Sequence, residues 1–241
     1  MRGMEISGRR AVVTGGGGGL GEVIVRAFAA RQMHVLVADV DGAAARRVAA
    51  DVDGSAVTAD LAEPSGVDTV AAAAEEVDVL VNCAGGWSPS GRSYPDASPA
   101  DWTGVLALNL TGPMRLLQRL RGPLARSPVG AAVSISSSAA RGTGAYRAPE
   151  YAVAKAGLIR LTTSLTDWAE RYGIRVSCVV PGWIGLPRAL DEVAVLPPTE
   201  RSPLVPPTEI AAEVVRLAAD EDAAGRVVIM DEGRPAYPMG P

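Results

Sequence analysis

The stretch AVVTGGGGGLGEVIVRAFAAR, residues 11–31, decides the fold. Ala11–Thr14 is short, apolar and β-branched, the pattern of a buried strand. From Leu20 to Arg31 the apolar residues Leu20, Val23, Ile24, Ala27 and Phe28 recur at helical spacing. Gly15 to Gly19 stand between, followed by Leu20 and Gly21. A strand that turns through glycine into a helix leaves the leading helical N–H groups unpaired and clustered. The helix dipole adds positive potential there, and glycine lets a pyrophosphate come close to the backbone. The segment therefore predicts an anion site near the N-terminus.

The same alternation runs through the chain. Further strand-like runs fall at His34–Asp39, Ala56–Ala59, Val77–Asn82, Ala131–Ser136, Ile174–Val180 and Arg226–Met230. Helical stretches fall at Ala43–Ala50, Val67–Glu76, Asp101–Leu120, Tyr151–Tyr172 and Pro207–Ala219. Consecutive Val and Ile suit strands buried on both faces, so the class is α/β, a parallel sheet between two helical layers. No linker or repeat interrupts it, and residues 1–241 are expected to form a single domain. Trp183–Pro206, with Pro187, Pro197, Pro198, Pro203 and Pro206, has no steady period. Such a stretch inside a compact domain reads as a substrate loop or a disordered segment. The tail Gly233–Pro241 is likewise without pattern.

Composition narrows the function. Hydrophobic residues make up 48% and charged residues 21%, which excludes disorder, and 2 Cys exclude a disulfide scaffold. A net charge of −4 with dispersed Arg offers no basic stripe, so no nucleic-acid partner is expected. The longest run without charge, Ser127–Ala140, is shorter than the ~20 residues of a membrane span. The opening MRGMEISGRRAVVTG has no apolar secretory core. Cys83 and Cys178 lie in apolar runs as buried thiols, consistent with a reducing cytoplasm. His34 is the only histidine, and no metal site is expected.

Asp39 closes the second strand, 20 residues beyond Gly19, where an acid would accept hydrogen bonds from an adenosine ribose. It would repel a 2′-phosphate. Val40-Asp41-Gly42 follows it, and Gly16–Gly18 carries no base, so the pattern favours NAD over NADP. Asp41 is the alternative ribose ligand.

Of the 23 basic residues, 22 are Arg, and the sole Lys, Lys155, stands four residues after Tyr151 in YAVAKAG. With five Tyr in the chain, chance puts it there about 2% of the time. Positions i and i+4 share a helix face. An ammonium beside a phenol favours the phenolate, which would lower the Tyr151 pKa from ~10 and prepare it for proton exchange with an alcohol or ketone. Tyr146 is a poorer candidate for that role because Glu150 stands four residues after it.

With these residues in hand, the sequence resembles the short-chain dehydrogenase/reductase family over nearly its whole length. The resemblance rests on TGGGGGLG (14–21), Asp60-Leu61, NCAG (82–85), Asn109 in ALNLTGP, SISSS (134–138), YAVAK (151–155) and PGWI (181–184). It implies a doubly wound Rossmann-like sheet of seven parallel strands, assembled as a homodimer or homotetramer. It implies Tyr151 as general acid/base and Lys155 on the nicotinamide ribose. A serine would bind the substrate oxygen, and Asn109 would hold a water in a proton relay. The strand-end pattern points to Ser137 for that serine, while counting 13 residues back from Tyr151 points to Ser138. Gly15, Gly18, Gly19, Leu20, Gly21 and Asp39 would hold the dinucleotide. Asp60 and Leu61 would flank the adenine, Asn82, Ala84 and Gly85 would line the cofactor, and Pro181, Gly182 and Ile184 would pack near the carboxamide.

Three departures stand out. The usual Asn-Asn-Ala-Gly reads Asn82-Cys83-Ala84-Gly85. Gly185-Leu186-Pro187 replaces the Thr that often follows PGWI, and the usual Asp-Gly-Gly near the C-terminus reads Asp231-Glu232-Gly233. Expected substrate walls are Trp87, Ser88, Tyr146, Trp183 and Leu186. The implied reaction is hydride transfer between NAD(H) and a secondary alcohol or ketone. The alternatives are an NADP-dependent ketoreductase of 3-oxoacyl or polyketide-like compounds and a non-catalytic dinucleotide sensor.

Overall fold

In the computed structural model, which describes residues 3–195 and 204–240, the alternation closes into one sheet. The first half runs β1 (Arg10–Thr14), α1 (Gly19–Ala29), β2 (His34–Asp39), α2 (Gly42–Asp51), β3 (Ser55–Thr58), α3 (Pro64–Ala73) and β4 (Val79–Asn82). Then come α4 (Pro99–Leu106), a π-helical segment (Ala107–Thr111), α5 (Gly112–Arg126), β5 (Ala131–Ile135), a 3₁₀ turn (Ser138–Ala140) and α6 (Pro149–Ser164). The chain ends with α7 (Trp168–Tyr172), β6 (Arg175–Pro181), α8 (Pro187–Ala194), α9 (Pro207–Ala219), β7 (Val227–Met230) and β8 (Tyr237–Pro238).

The sheet order is β3-β2-β1-β4-β5-β6-β7-β8. From β1 the chain steps outward to β3, then returns to lay β4 on the other side of β1. That reversal opens a crevice at the carboxyl ends of β1 and β4, the general ligand position in such sheets. Register aligns those ends: Thr14 pairs with Ala38, Val13 with Val81, and Asn82 with Ser134.

Both faces are packed. Ile24 and Phe28 of α1, Val48 of α2 and Ile210, Val214 and Leu217 of α9 bury one face with Val13 and Val35. Val67 and Val70 of α3 and Leu116, Leu120 and Leu124 of α5 cover the other with Val12 and Leu80. Each such side chain contributes roughly 1.5–3 kcal/mol relative to exposure. Among the described residues, no helix is long and apolar enough to cross a membrane.

The structure corrects several expectations. The first seven strands are parallel as expected, but an eighth follows: β8 pairs antiparallel with β7, Ile229 against Tyr237. Two residues carry no periodicity, so no pattern could announce it. The stretch Asp101–Leu120 is split by the π segment. Tyr151–Tyr172 is two helices, because Thr163 and Thr166 turn their hydroxyls onto the Arg160 and Thr163 carbonyls and compete with the helical ladder. The helix read at Val67–Glu76 lies at Pro64–Ala73, started by Pro64 at a first-turn position. Within the Pro-rich segment, Pro187 starts α8. Residues 196–203 of that segment, with Pro197, Pro198 and Pro203, lie outside the described residues, as does Pro241.

Arg175 holds the opposite end of the sheet together. It is 5% exposed, and its guanidinium donates to the carbonyls of Asp220 (2.5 Å), Val129 (2.7 Å) and Ala218 (3.1 Å). Arg175→Leu leaves three carbonyls without this donor, at a cost of about 2–4 kcal/mol. A thermal melt should show Tm lower by roughly 4–16 °C. An unchanged Tm would remove Arg175 from the account of stability.

Candidate active site

The strands end at one edge, and the loops beyond them enclose a cavity of about 1100 Å³. At one end stands the glycine turn. Gly15 has φ +66, and a Cβ there would lie 2.8 Å from the Ala84 Cα. Thr14 explains that closeness: its Oγ1 accepts from the Cys83 and Ala84 N–H groups at 3.0 and 3.1 Å, locking the β1 turn against the β4 turn. At Gly18, α1 begins without a side-chain cap, leaving its leading N–H groups for a ligand. Gly15, Gly18, Gly19, Leu20 and Gly21 all line the cavity.

Asp39 and Asp41 both reach the cavity edge, but they are engaged differently. Asp41 Oδ1 accepts from the Ala43 and Ala44 N–H groups at 2.9 and 3.0 Å and caps α2. Asp39 accepts one bond on each oxygen, from Gly17 N–H (2.9 Å) and Asp41 N–H (3.0 Å). Each Asp39 oxygen keeps a lone pair for a ribose hydroxyl. The structure also brings up a base that the local sequence did not show. Arg47 donates to the Gly17 carbonyl at 3.1 Å and to Glu22 at 2.9 Å. Arg47 and Arg26 together hold the Glu22 carboxyl down at about 2. The Arg47 charge is thus balanced behind the loop.

Asp60 and Leu61 line the next stretch of wall, where Asp60 Oδ1 accepts from Ala62 N–H at 2.9 Å. Ala84, Gly85, Pro181, Gly182 and Ile184 line it further along. Asn82 stands behind the wall, 3% exposed. Its Oδ1 is the one buried side-chain N or O atom among the described residues without a hydrogen-bond partner. An uncapped helix N-terminus and a close glycine turn, both lining the cavity, fit a dinucleotide.

At the other end, α6 brings Tyr151 and Lys155 into the cavity. Lys155 is 3% exposed, and its Nζ donates to the Ile135 carbonyl at 2.8 Å. Ser136 Oγ donates to the Lys155 carbonyl at 2.8 Å, tying α6 to the end of β5. The ammonium lies 5.6 Å from the Tyr151 ring centroid. The expectation that it lowers the Tyr151 pKa is not met. Burial pushes the phenol up to about 12, and a hydrogen bond with Ser137 only partly opposes this. Burial also pushes Lys155 down to about 8. Desolvation pushes each group toward its neutral form.

Ser137 and Ser138 both line the cavity, and Ser137 is the one whose hydroxyl opposes the upward shift of the Tyr151 phenol. Ser137 Oγ also accepts from Ala139 N–H at 3.2 Å, while Ser138 is exposed at the start of the 3₁₀ turn. Asn109 lies in the π segment, fully buried. Its Nδ2 donates to the Gly86 and Val105 carbonyls at 2.8 and 2.9 Å, and its Oδ1 accepts from Gly86 N–H at 3.1 Å. Both amide hydrogens are spent; Oδ1 keeps one lone pair for a water.

The expected substrate walls come together. Trp87 packs against Tyr151 with ring centroids 5.7 Å apart and planes tilted by 55°, and the Arg147 guanidinium lies 4.7 Å from the Trp87 centroid. Tyr146, Trp183 and Leu186 line the same space. Ser88 does not line it; its hydroxyl donates to Asp101 at 3.3 Å. Asp101 itself lines the cavity and was not singled out in the sequence. The Ser98 hydroxyl holds its carboxyl below the usual range. As a helix-start acid, it carried no signal of a wall position.

A family model described as short chain dehydrogenase matches residues 9–192. The chain is 33% identical to the short-chain reductase protein NovJ of Streptomyces niveus, covering 93% of each. It is 32% identical to the (2S)-[(R)-hydroxy(phenyl)methyl]succinyl-CoA dehydrogenase subunit BbsD of Thauera aromatica, covering 97% of this chain and 99% of that one. Among solved structures, the Pseudomonas aeruginosa RhlG/NADP active-site complex superposes with a TM-score of 0.79 at 27% identity. That match covers 97% of this chain and 98% of the other.

Proposed function

The chain belongs to the short-chain dehydrogenase family, and from that premise we propose that it transfers a hydride between NAD(H) and a secondary alcohol or ketone. The observation that carries this reading is one cavity holding Tyr151, Lys155 and Ser137 at one end and the uncapped start of α1 with Asp39 at the other. The nicotinamide cofactor supplies the hydride acceptor or donor. The protein supplies orientation and a proton. Tyr151 holds that proton on its hydroxyl and gives it to the substrate oxygen in reduction, or takes one in oxidation. Ser137 hydrogen-bonds the same oxygen and steadies its developing charge. Lys155, anchored on Ile135, holds the nicotinamide ribose, and Asn109 Oδ1 holds a relay water.

A phenol pushed up to about 12 is protonated at neutral pH, which makes it a ready acid for reduction. Trp87, Tyr146 and Trp183 form aromatic walls beside it, suited to a small or medium apolar carbonyl compound. Asp39 disfavours a 2′-phosphate, and Arg47, which reaches the glycine turn from α2, is engaged by Glu22. NAD is therefore the cofactor of this reading. The NADP reading draws on Arg46 and Arg47, which both stand on α2. The reading also carries a homodimer or homotetramer, which light scattering tests.

Binding of NADH and NADPH, followed by nicotinamide fluorescence, tests the cofactor assignment. NADH should bind at least about tenfold tighter, and Asp39→Ala should erase that preference. Equal or tighter NADPH binding by the unmodified protein overturns the assignment. A screen of secondary alcohols and ketones with both cofactors, followed by absorbance, tests the activity.

A further inference from the structure

The sheet edge beyond β7 carries two consecutive carboxylates, Asp231 and Glu232, that reach in different directions. Asp231 turns toward the serine segment. Arg141 Nη1 donates to Asp231 Oδ1 at 2.6 Å, and the Tyr237 hydroxyl donates to Asp231 Oδ2 at 2.5 Å. Arg141 Nη2 donates to the Tyr237 oxygen at 3.2 Å and closes the triangle. Arg141 is the residue that caps the 3₁₀ turn: its N–H donates to the Ser138 carbonyl at 3.1 Å. Ala140 N–H donates to the Ser137 carbonyl at 3.0 Å. The triangle thus grips the short turn that presents Ser137.

Glu232 turns the other way. Its Oε1 accepts from Trp183 N–H at 2.7 Å. Its carboxylate also lies flat against Gly182, where a Cβ would come within 2.3 Å of Oε1. Gly182 N–H donates to the Met230 carbonyl at 2.9 Å, so β7 holds this turn from two sides. The substrate segment starts here and returns here. Val205 N–H donates to the Trp183 carbonyl at 2.7 Å, and Gly185 N–H donates to the Val205 carbonyl at 2.9 Å. Glu232 stands where the family pattern has glycine, which has no side chain to do this.

We propose that Asp231 and Glu232 form a two-armed brace: Asp231, through Arg141, positions the Ser137 turn, and Glu232 positions the Gly182–Trp183 turn on which the substrate segment hinges. Neither touches the reacting atoms, so both are positioning residues. The functional half of the inference rests on the oxidoreductase reading above; the structural half does not. Tyr237 extends the brace to β8.

Amide hydrogen exchange tests the Glu232 arm without substrate. Glu232→Ala should speed exchange at the Trp183 amide by about tenfold or more. Glu232→Gln keeps an acceptor oxygen and should exchange like the unmodified protein. Unchanged exchange in Glu232→Ala overturns the arm. A Gly182→Ala exchange supplies a second check. It should weaken NADH binding in the unmodified background, where it meets Glu232, and much less in the Glu232→Ala background; equal damage in both contradicts the packing. The arms also separate kinetically. Glu232→Ala should raise the NADH Kd several-fold, whereas Asp231→Ala should lower kcat several-fold and leave that Kd within about twofold. The same kinetic effect from both variants overturns the two-armed assignment. If the unmodified protein binds no nicotinamide cofactor, the oxidoreductase reading fails, and the Trp183 exchange still decides the structural half.

Discussion

Replacing Tyr151 with Phe should cut turnover by about 100-fold or more in either direction while leaving the NADH Kd within about twofold. The phenyl ring keeps its packing on Trp87, 5.7 Å away, so the cavity wall survives. Only the proton-bearing oxygen is lost. Steady-state rates and a fluorescence titration read the two effects separately. Retention of the original rates in Tyr151→Phe would overturn the role assigned to Tyr151. Burial holds this phenol up at about 12 against an ordinary 10, so its phenolate forms only at higher pH than that of a free phenol. Reduction should therefore run across the neutral range. Oxidation, which needs the phenolate, should speed up as pH rises. An oxidative rate that falls between pH 7 and 9 contradicts this sign.

Lys155→Met should lose turnover on the order of 100-fold and, unlike Tyr151→Phe, should also weaken NADH binding. The thioether fills the buried volume but cannot donate to Ile135, 2.8 Å away in the unmodified protein, or to a ribose. The variant has a second signature in stability. Burial lowers Lys155 to about 8 from 10.5. Between those values the unfolded chain binds the extra proton, so the unmodified protein should gain stability as pH rises above about 8. Cys83 and Cys178, which burial keeps protonated up to about 12 against an ordinary 9, act in the opposite sense above about 9. The expected gain is thus a shallow rise in Tm between pH 8 and 9, absent from Lys155→Met. Parallel melts across that range check it, and identical pH profiles would mean that Lys155 is not buried with its charge.

Much of the site was legible because it is encoded over short distances. Gly15–Gly21 follows a strand and opens a helix, and Tyr151 and Lys155 are one helical turn apart. Spacing favoured Asp39 over Asp41, and what the sequence did not show is that Asp41 spends its Oδ1 capping α2. For the serine, the strand-end pattern pointed to Ser137 and the count back from Tyr151 to Ser138, and both line the cavity. Arg47 escaped notice because only the packing of α2 behind the glycine turn brings it to Gly17.

From residue order alone came the alternating sheet, the anion cradle after β1 and the phenol–ammonium pair, since each depends on neighbours within about one helical turn or one strand end. Tertiary structure decided the upward shift of the Tyr151 phenol, the packing of Trp87 against it, and the grip of Asp231 and Glu232 on two loops. Those depend on burial and on contacts across as many as 96 residues, as between Arg141 and Tyr237, and desolvation and long-range packing leave no local periodicity to read.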